Sequence, residues 1–189
     1  MIERRHEHWV AAKHILRYLK GTVGYGLKYV SGDEVMLRGY TNSDWAGRAV
    51  DRKSTSGCFF SLGLAMISWM SRKQTSIALS IAEAEYIASS TASREAVWLW
   101  KILADIFDQE LETTVIHCDN QSSIKLSENP IFHHRSKHVE IKYHYIQDVG
   151  QRGAVKLQYI WTNEQIAGIL TKPLSRVKFV YFRDKLGVV

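Results

Sequence analysis

The sequence of 189 residues has few prolines and cysteines and no long hydrophobic run. Two prolines and 12 glycines argue against a long linker or a low-complexity tail. Its apolar runs fall far short of the roughly 20 residues that a membrane span needs, and its first nine residues lack the apolar core of a signal peptide. Cys58 and Cys118 lie in apolar stretches without partners at metal-ligand spacing, so we predict reduced core thiols. We therefore expect no membrane partner and an intracellular chain, cytoplasmic or nuclear, rather than a secreted one.

The composition that remains is that of an ordinary globular protein, with 46% hydrophobic and 23% charged residues. A chain of this length can bury roughly 70% of its unfolded surface, so its core needs no disulfide or metal for support. The net charge of +6 is modest, and its placement therefore matters more than its size.

Two basic stretches, residues 4–20 and 133–145, also carry aromatic side chains. Cations neutralise phosphates and aromatic rings pack on sugars or bases, so the pattern is typical of nucleic-acid binding. Two solvated helix faces explain the pattern equally well. The candidate nucleic-acid-binding residues are Arg135, Lys137, His138 and Lys142. His134 and His138 have a zinc-ligand spacing on a helix, but no cysteine or carboxylate joins them, which makes zinc the weaker interpretation.

Hydrophobic periodicity predicts a mixed α/β protein. The predicted elements are a helix over 8–19, extended segments over 25–45, 56–61 and 65–69, a helix over 80–107, a strand over 113–118, helices over 121–127 and 138–150, a strand over 154–161 and a helix over 163–171. Gly21 is the expected C-cap of the first helix. This order predicts a mixed sheet with helices on both faces and the first helix as an appendage.

The long predicted helix contains the most informative acid. Ser80 and Glu83 form a capping box, which gives Glu83 a structural role. Glu85 instead lies on the apolar stripe that includes Ile81, Ala88, Ala92, Leu99 and Leu103. A buried carboxylate is costly unless it is paired or binds a cation. A buried salt bridge and a metal ligand are both possible, and the cost favours the metal ligand.

Two aspartates follow predicted strands. Asp119 is either the N-cap of the next helix or, if Asn120 caps that helix, a free acid at the carboxyl end of a strand. Asp44 is either a turn acid or a side chain that shares a sheet face with Asn42. Together with Glu85, these acids could bind two divalent metals that clamp the reacting oxygens of a phosphodiester.

Seven motifs in order resemble those of one family. They are GYTNSDWAG (39–47), DRKSTSG (51–57), ISWMSRKQ (67–74), EAEY (83–86), HCDN (117–120), SKH (136–138) and TKPL (171–174). The series resembles the RNase H domain of copia-type LTR-retrotransposon Pol polyproteins. Residues 8–22 resemble the segment that joins reverse transcriptase to that domain, so we expect a connection segment over 1–34 and an RNase H-like domain over 35–189.

The resemblance implies an RNase H-like α/β fold, a five-stranded mixed sheet flanked by helices. It also implies hydrolysis of the RNA strand of RNA–DNA hybrids by two Mg²⁺ (or Mn²⁺) ions on four carboxylates, within a longer reverse-transcriptase polyprotein. Glu85 and Asp119 match two of these acids. The other two positions depart from the pattern and hold Asn42 and Gly168, which implies an incomplete two-metal site.

Two functions remain at this point. The first is a working hybrid-specific ribonuclease that uses Asp44, Glu85 and Asp119 as catalytic, metal-binding acids. The second is a non-catalytic nucleic-acid-binding module or a decayed transposon fragment. The loss of acids at Asn42 and Gly168 predicts an intact fold with impaired catalysis and favours the second function for this chain.

Overall fold

The computed structural model describes residues 5–30, 36–47, 50–108, 112–128 and 145–189. Its elements are, in chain order, α1 (His6–Gly21), β1 (Leu37–Asp44), β2 (Thr55–Leu62), β3 (Ala65–Lys73), α2 (Ile81–Phe107), β4 (Thr114–Cys118), α3 (Gln121–Glu128), α4 (145–151), β5 (Val155–Tyr159), a 3-10 helix (Ile166–Leu170) and α5 (Arg176–Lys185). The first part of the helix predicted over 138–150 lies outside the described residues.

The five strands form one mixed sheet in the order β3-β2-β1-β4-β5. β2 is antiparallel to both of its neighbours, β1 and β3, whereas β4 runs parallel to both β1 and β5. The predicted fold class is therefore confirmed. Because β1 and β4 are parallel, their carboxyl ends meet at the same edge of the sheet.

Helix α2 covers one face of this sheet and provides most of its core contacts. Ala92, Ala96 and Leu99 pack with Phe60 and Ile116 in the main hydrophobic cluster. The helix begins as predicted, since the Ser80 hydroxyl accepts the Glu83 N–H. Ile81 departs from the predicted buried stripe and is 54% exposed, because it lies in the first turn, before the helix reaches the sheet.

The opposite face is covered by the 3-10 helix and α5. Phe59, Ala167 and Phe182 form the buried cluster between them. The predicted helix over 163–171 is shorter and more tightly wound than expected. α5 was not predicted because only Phe182 of its ten residues is buried, which leaves no apolar stripe in the sequence.

Residues 25–30 do not form the predicted strand. Leu27 makes one isolated antiparallel bridge with Val188. The alternation of apolar residues has another cause, because Tyr25 lies against the Arg183 guanidinium and the Tyr29 hydroxyl donates to the backbone of Met66. The side chains of Tyr25 and Tyr29 thus contact α5 and β3, although the backbone of this segment does not form the regular hydrogen bonds of a β-strand.

Helix α1 has no buried residue, in agreement with its predicted character as an appendage. Gly21 is its last helical residue rather than its cap, since the hydroxyl of Thr22 satisfies the carbonyls of Tyr18 and Leu19. The predicted boundary between residues 34 and 35 lies outside the described residues. Within the described part of the chain, no helix has the length and apolar character to cross a membrane.

Both cysteines are free and buried, as predicted. Burial raises the pKa of each thiol to about 12, which keeps Cys58 and Cys118 protonated and unreactive at neutral pH.

Candidate functional site

The carboxyl ends of β1 and β4 place Asn42 and Asp119 beside each other. Tyr40 and His117 are partners in the parallel register, and their rings are in contact, with centroids 4.7 Å apart and planes tilted by 38°. Side chains two residues farther along each strand lie on the same face. Asn42 and Asp119 accordingly line one small cavity at the sheet edge.

Gly168 of the 3-10 helix lines the same cavity. A Cβ atom at this glycine would lie 4.0 Å from Asn42 Nδ2 and 3.7 Å from Lys172 Cε, which are ordinary contact distances. A side chain at position 168 would therefore point toward Asn42 without a steric clash. The structure thus brings together three of the positions that the sequence analysis singled out, 42, 119 and 168.

Hydrogen bonds fasten the 3-10 helix to the sheet. Asn42 Nδ2 donates to Thr171 Oγ1 at 2.5 Å. Gln165 Nε2 donates to the carbonyl of His117, while its Oε1 accepts the Ala167 N–H. Neither Gln165 nor Thr171 was predicted as a site residue from the sequence. The available signal was their position as polar residues at the two ends of the apolar stretch 166–170.

Glu85 reaches the sheet edge from α2. Its side chain is 3% exposed, and Oε1 accepts the backbone N–H of Ser43 at 2.8 Å. Oε2 is buried and has no hydrogen-bond partner among the described residues, and no ion pair to Glu85 is present within them. The predicted alternative of a buried salt bridge is therefore not observed in the described part of the structure.

The surroundings of Glu85 disfavour its charged form. Burial raises the pKa of this carboxyl to about 8, although the Ser43 N–H opposes the shift. Asp119 raises the pKa further and Lys172 lowers it, which shows that both charges act on Glu85. Without a bound cation, the fold therefore favours the protonated form of Glu85 near neutral pH.

Asn120, not Asp119, caps helix α3. Its Oδ1 accepts the N–H of Ser123 at 2.9 Å. This contact resolves the alternative left open by the sequence, because it leaves the Asp119 carboxylate available to the cavity.

Asp44 lies at the last position of β1, and its carboxylate packs against the Cα of Gly47 in the following turn. It is not among the described residues that line the cavity with Asn42 and Asp119. The structure therefore places Asp44 beside its turn, and its catalytic role stays a prediction.

The predicted nucleic-acid-binding residues Arg135, Lys137, His138 and Lys142 lie outside the described residues, as does the His134–His138 pair.

No protein-family model matches the chain. The Pol polyprotein of transposon RE2 from Arabidopsis thaliana, described as retrovirus-related, is 41% identical over 183 residues, or 97% of this chain. The chain belongs to the copia-type retrotransposon Pol family. It spans only 13% of the length of that relative.

The fold of this Pol segment is that of RNase H. LC11-RNase H1, isolated from compost by a metagenomic approach, is 14% identical and superposes with a TM-score of 0.54 over 72% of this chain and 93% of its own. The structure of LC11-RNase H1 in complex with an RNA/DNA hybrid is 12% identical and gives a TM-score of 0.51 over 71% of this chain and 93% of its own.

The cavity of this Pol-family chain does not fit a pair of divalent ions. Asp119 is the carboxylate among the described residues that line it, and its charge acts on Glu85 nearby. No group of three or more potential metal ligands of the His, Cys, Asp or Glu type occurs in the described ranges. Asn42 is engaged with Thr171, and position 168 has no side chain. Hard divalent cations such as Mg²⁺ prefer several oxygen ligands in near-ideal geometry, which these residues do not supply.

Proposed function

We propose that this chain binds RNA–DNA hybrids as the RNase H-like part of a Pol polyprotein and that its hydrolysis of the RNA strand is impaired. Family membership supports the ancestral activity, and the hybrid complex of LC11-RNase H1 supports the choice of ligand. The remainder of the polyprotein is a second proposed partner, and an intracellular location follows from the same proposal.

The observation that carries this proposal is the meeting of positions 42 and 168 beside Asp119. An aspartate at each position would direct its carboxylate into the cavity that Asp119 lines. In this chain, one position holds an amide that donates to Thr171 and the other holds no side chain. The cavity therefore lacks two negative charges at the place where the resemblance requires them.

The loss of these charges removes enough electrostatic free energy to change the rate of a metal-assisted reaction. One unit charge about 4 Å from a cation contributes up to roughly 4 kcal/mol at an effective dielectric constant of 20. That free energy corresponds to about a thousandfold in rate if it is expressed entirely in the activation barrier. We therefore expect the loss at Asn42 alone to reduce cleavage strongly.

Binding does not depend on the same groups. We propose that Arg135, Lys137, His138 and Lys142 contact the phosphate backbone, since sequence-independent affinity comes mainly from cations. We also retain the division into a connection segment over 1–34 and an RNase H-like domain over 35–189 as part of this proposal.

A labelled RNA–DNA hybrid incubated with the purified chain in Mg²⁺, and separately in Mn²⁺, tests the proposal. The unaltered chain should bind in a salt-sensitive manner and leave the RNA largely intact. The double variant Asn42→Asp/Gly168→Asp should gain cleavage by about a thousandfold or more. Adding Asp119→Asn to the double variant should abolish the gain while hybrid binding remains.

Two results would contradict the proposal in different ways. Efficient cleavage by the unaltered chain, lost in Asp119→Asn, would show that the site works with fewer acids, and Asp44→Asn would then test the third predicted catalytic residue. A double variant that stays inert although it is folded and bound to hybrid would show that positions 42 and 168 are wrongly assigned.

A further inference from the structure

A second cleft lies between the end of β3 and the outer side of α2. Its volume is about 230 Å³, and its charged and hydroxyl lining residues include Arg72, Lys73, Thr75, Thr91 and Arg94. Thr91 and Arg94 project from the side of α2 roughly opposite to Glu85, at 100° per residue. The cleft is therefore distinct from the cavity that Asp119 lines.

The cleft has an excess of positive charge. Lys73 pairs with the carboxylate of Asp51. Arg72 and Arg94 have no acidic partner in the part of the chain that the structure describes, and no aspartate or glutamate is among the lining residues there. Two guanidinium groups around one concave space favour an anion, because each offers several N–H donors in a planar fork.

The floor of the cleft is rigid. Gln74 is 5% exposed, and its Nε2 donates to Ser56 Oγ and to the carbonyl of Ala84, both at 2.9 Å. These bonds join β2, the end of β3 and the first turn of α2. Because these elements are joined to one another, the backbone positions that carry the two arginines are fixed before a ligand arrives, which reduces the entropy that binding would lose.

The cleft and the cavity lie at the same end of the sheet. Arg72 is the register partner of Ser56, and Ser56 is the partner of Ser43, next to Asn42. Two strand spacings separate Arg72 from Ser43, a distance of about 10 Å. A nucleic-acid duplex carries one charge per roughly 1.7 Å of its axis, so a duplex over the cavity presents several phosphates within that distance.

We propose that the cleft bounded by Arg72 and Arg94 binds a backbone phosphate of the nucleic acid that lies over the cavity. The inference rests on the proposed hybrid binding and adds a contact that the acids at the sheet edge do not provide. The contact reads no base, so it acts on position and affinity rather than on sequence.

The test compares Arg72→Gln/Arg94→Gln with the control Arg38→Gln/Lys101→Gln, which removes the same charge from exposed residues away from the cleft. Hybrid affinity is measured by fluorescence anisotropy over a series of salt concentrations. The cleft variant should lower the slope of log K against log salt by about one, the value for a single lost phosphate contact, and the control should keep the wild-type slope. Thermal unfolding of each variant checks that it is folded.

A second measurement uses inorganic phosphate alone. Phosphate should produce saturable shifts of the Arg72 and Arg94 side-chain NMR signals in the unaltered chain and none at Lys101. If hybrid binds and the cleft variant matches the control, the inference is wrong while the proposed function stands. If no hybrid binds, the proposed function fails and the phosphate titration alone decides whether the cleft is an anion site; an absence of saturable shifts then overturns it as well.

Discussion

Two groups of side chains meet at the sheet edge around the cavity, one from α2 and the end of β4 and the other from β1 and the 3-10 helix. In the first group, Glu85 has a buried oxygen without a hydrogen-bond partner in the described structure, and Asp119 is released from capping by Asn120. In the second group, Asn42 is hydrogen-bonded to Thr171. Where the expected acids are present, no ion pair to them occurs among the described residues, and where Asn42 replaces one, the side chain is hydrogen-bonded within the protein.

This difference teaches that loss of acids need not weaken the fold. A buried carboxylate without a cation lowers stability, whereas a buried amide with an acceptor contributes favourably. The two halves of the cavity should therefore respond to substitution with opposite signs, and the following variants test this.

The largest expected change in stability comes from Glu85→Gln. The pKa of Glu85 in the folded state is about 8, above its ordinary value of 4.5, so the folded state binds more protons than the unfolded state between these values. The stability of the unaltered chain therefore falls as pH rises through this window, by on the order of 1.4 kcal/mol per unit of pKa difference. Glu85→Gln lacks this fall and should be the more stable protein at pH 8 to 9 by a few kcal/mol.

Chemical denaturation at pH 5 and pH 9 in chelator-containing buffer measures this effect, with exposed Glu112→Gln as the control. If the stabilities of Glu85→Gln and the unaltered chain change in parallel with pH, the carboxyl is not held in its neutral form, and the contrast between the two halves does not hold.

A smaller change, in this case a loss of folding stability, is expected from Thr171→Val. The substitution keeps the shape of the side chain but removes the acceptor of the Asn42 amide, which is 2% exposed. A buried donor left without a partner costs about 1 to 3 kcal/mol. The exposed threonine Thr162→Val serves as the control and should change stability little, and an equal loss in both variants would mean that the Asn42–Thr171 bond contributes nothing specific.

The smallest effect concerns the helix that carries Glu85. Ser80→Ala removes the acceptor of the Glu83 N–H at the start of α2 and should cost about 1 kcal/mol. Ser80→Gly should reduce stability by only about a few tenths of a kcal/mol, because glycine leaves the N–H accessible to water. Denaturant midpoints of the two variants measure the difference, and identical midpoints would indicate that Ser80 does not act as a cap in solution.

The sequence predicted those elements in which apolar residues recur at regular spacing because one side of the element packs against the rest of the protein. The β2–β3 hairpin, β4 and α2 all follow from periodicity, since each buries a regular set of apolar residues. Residues 25–30 imitate a strand because Tyr25 and Tyr29 make alternate contacts, and α5 is hidden because it buries only Phe182.

The site was predictable to a different degree. The cost of a buried acid predicted that Glu85 is unusual, but its contact with the Ser43 N–H depends on packing between α2 and β1. The meeting of Gly168 and Asn42 has no local signal at all, and only the family resemblance placed both positions in one site. Gln165 and Thr171 were missed because their partners lie on other elements.

The Asn42–Thr171 bond also bears on the order in which the cavity assembles. It joins residues 129 positions apart, whereas the Ser43–Glu85 bond spans 42 positions and Gln74 reaches Ala84 over 10. Closing a longer loop loses more chain entropy, so contacts of long range tend to form late. We therefore expect a folding chain to seat Glu85 at the sheet edge first. The 3-10 helix would arrive last and complete the cavity, and its amides should exchange with solvent before those of α2.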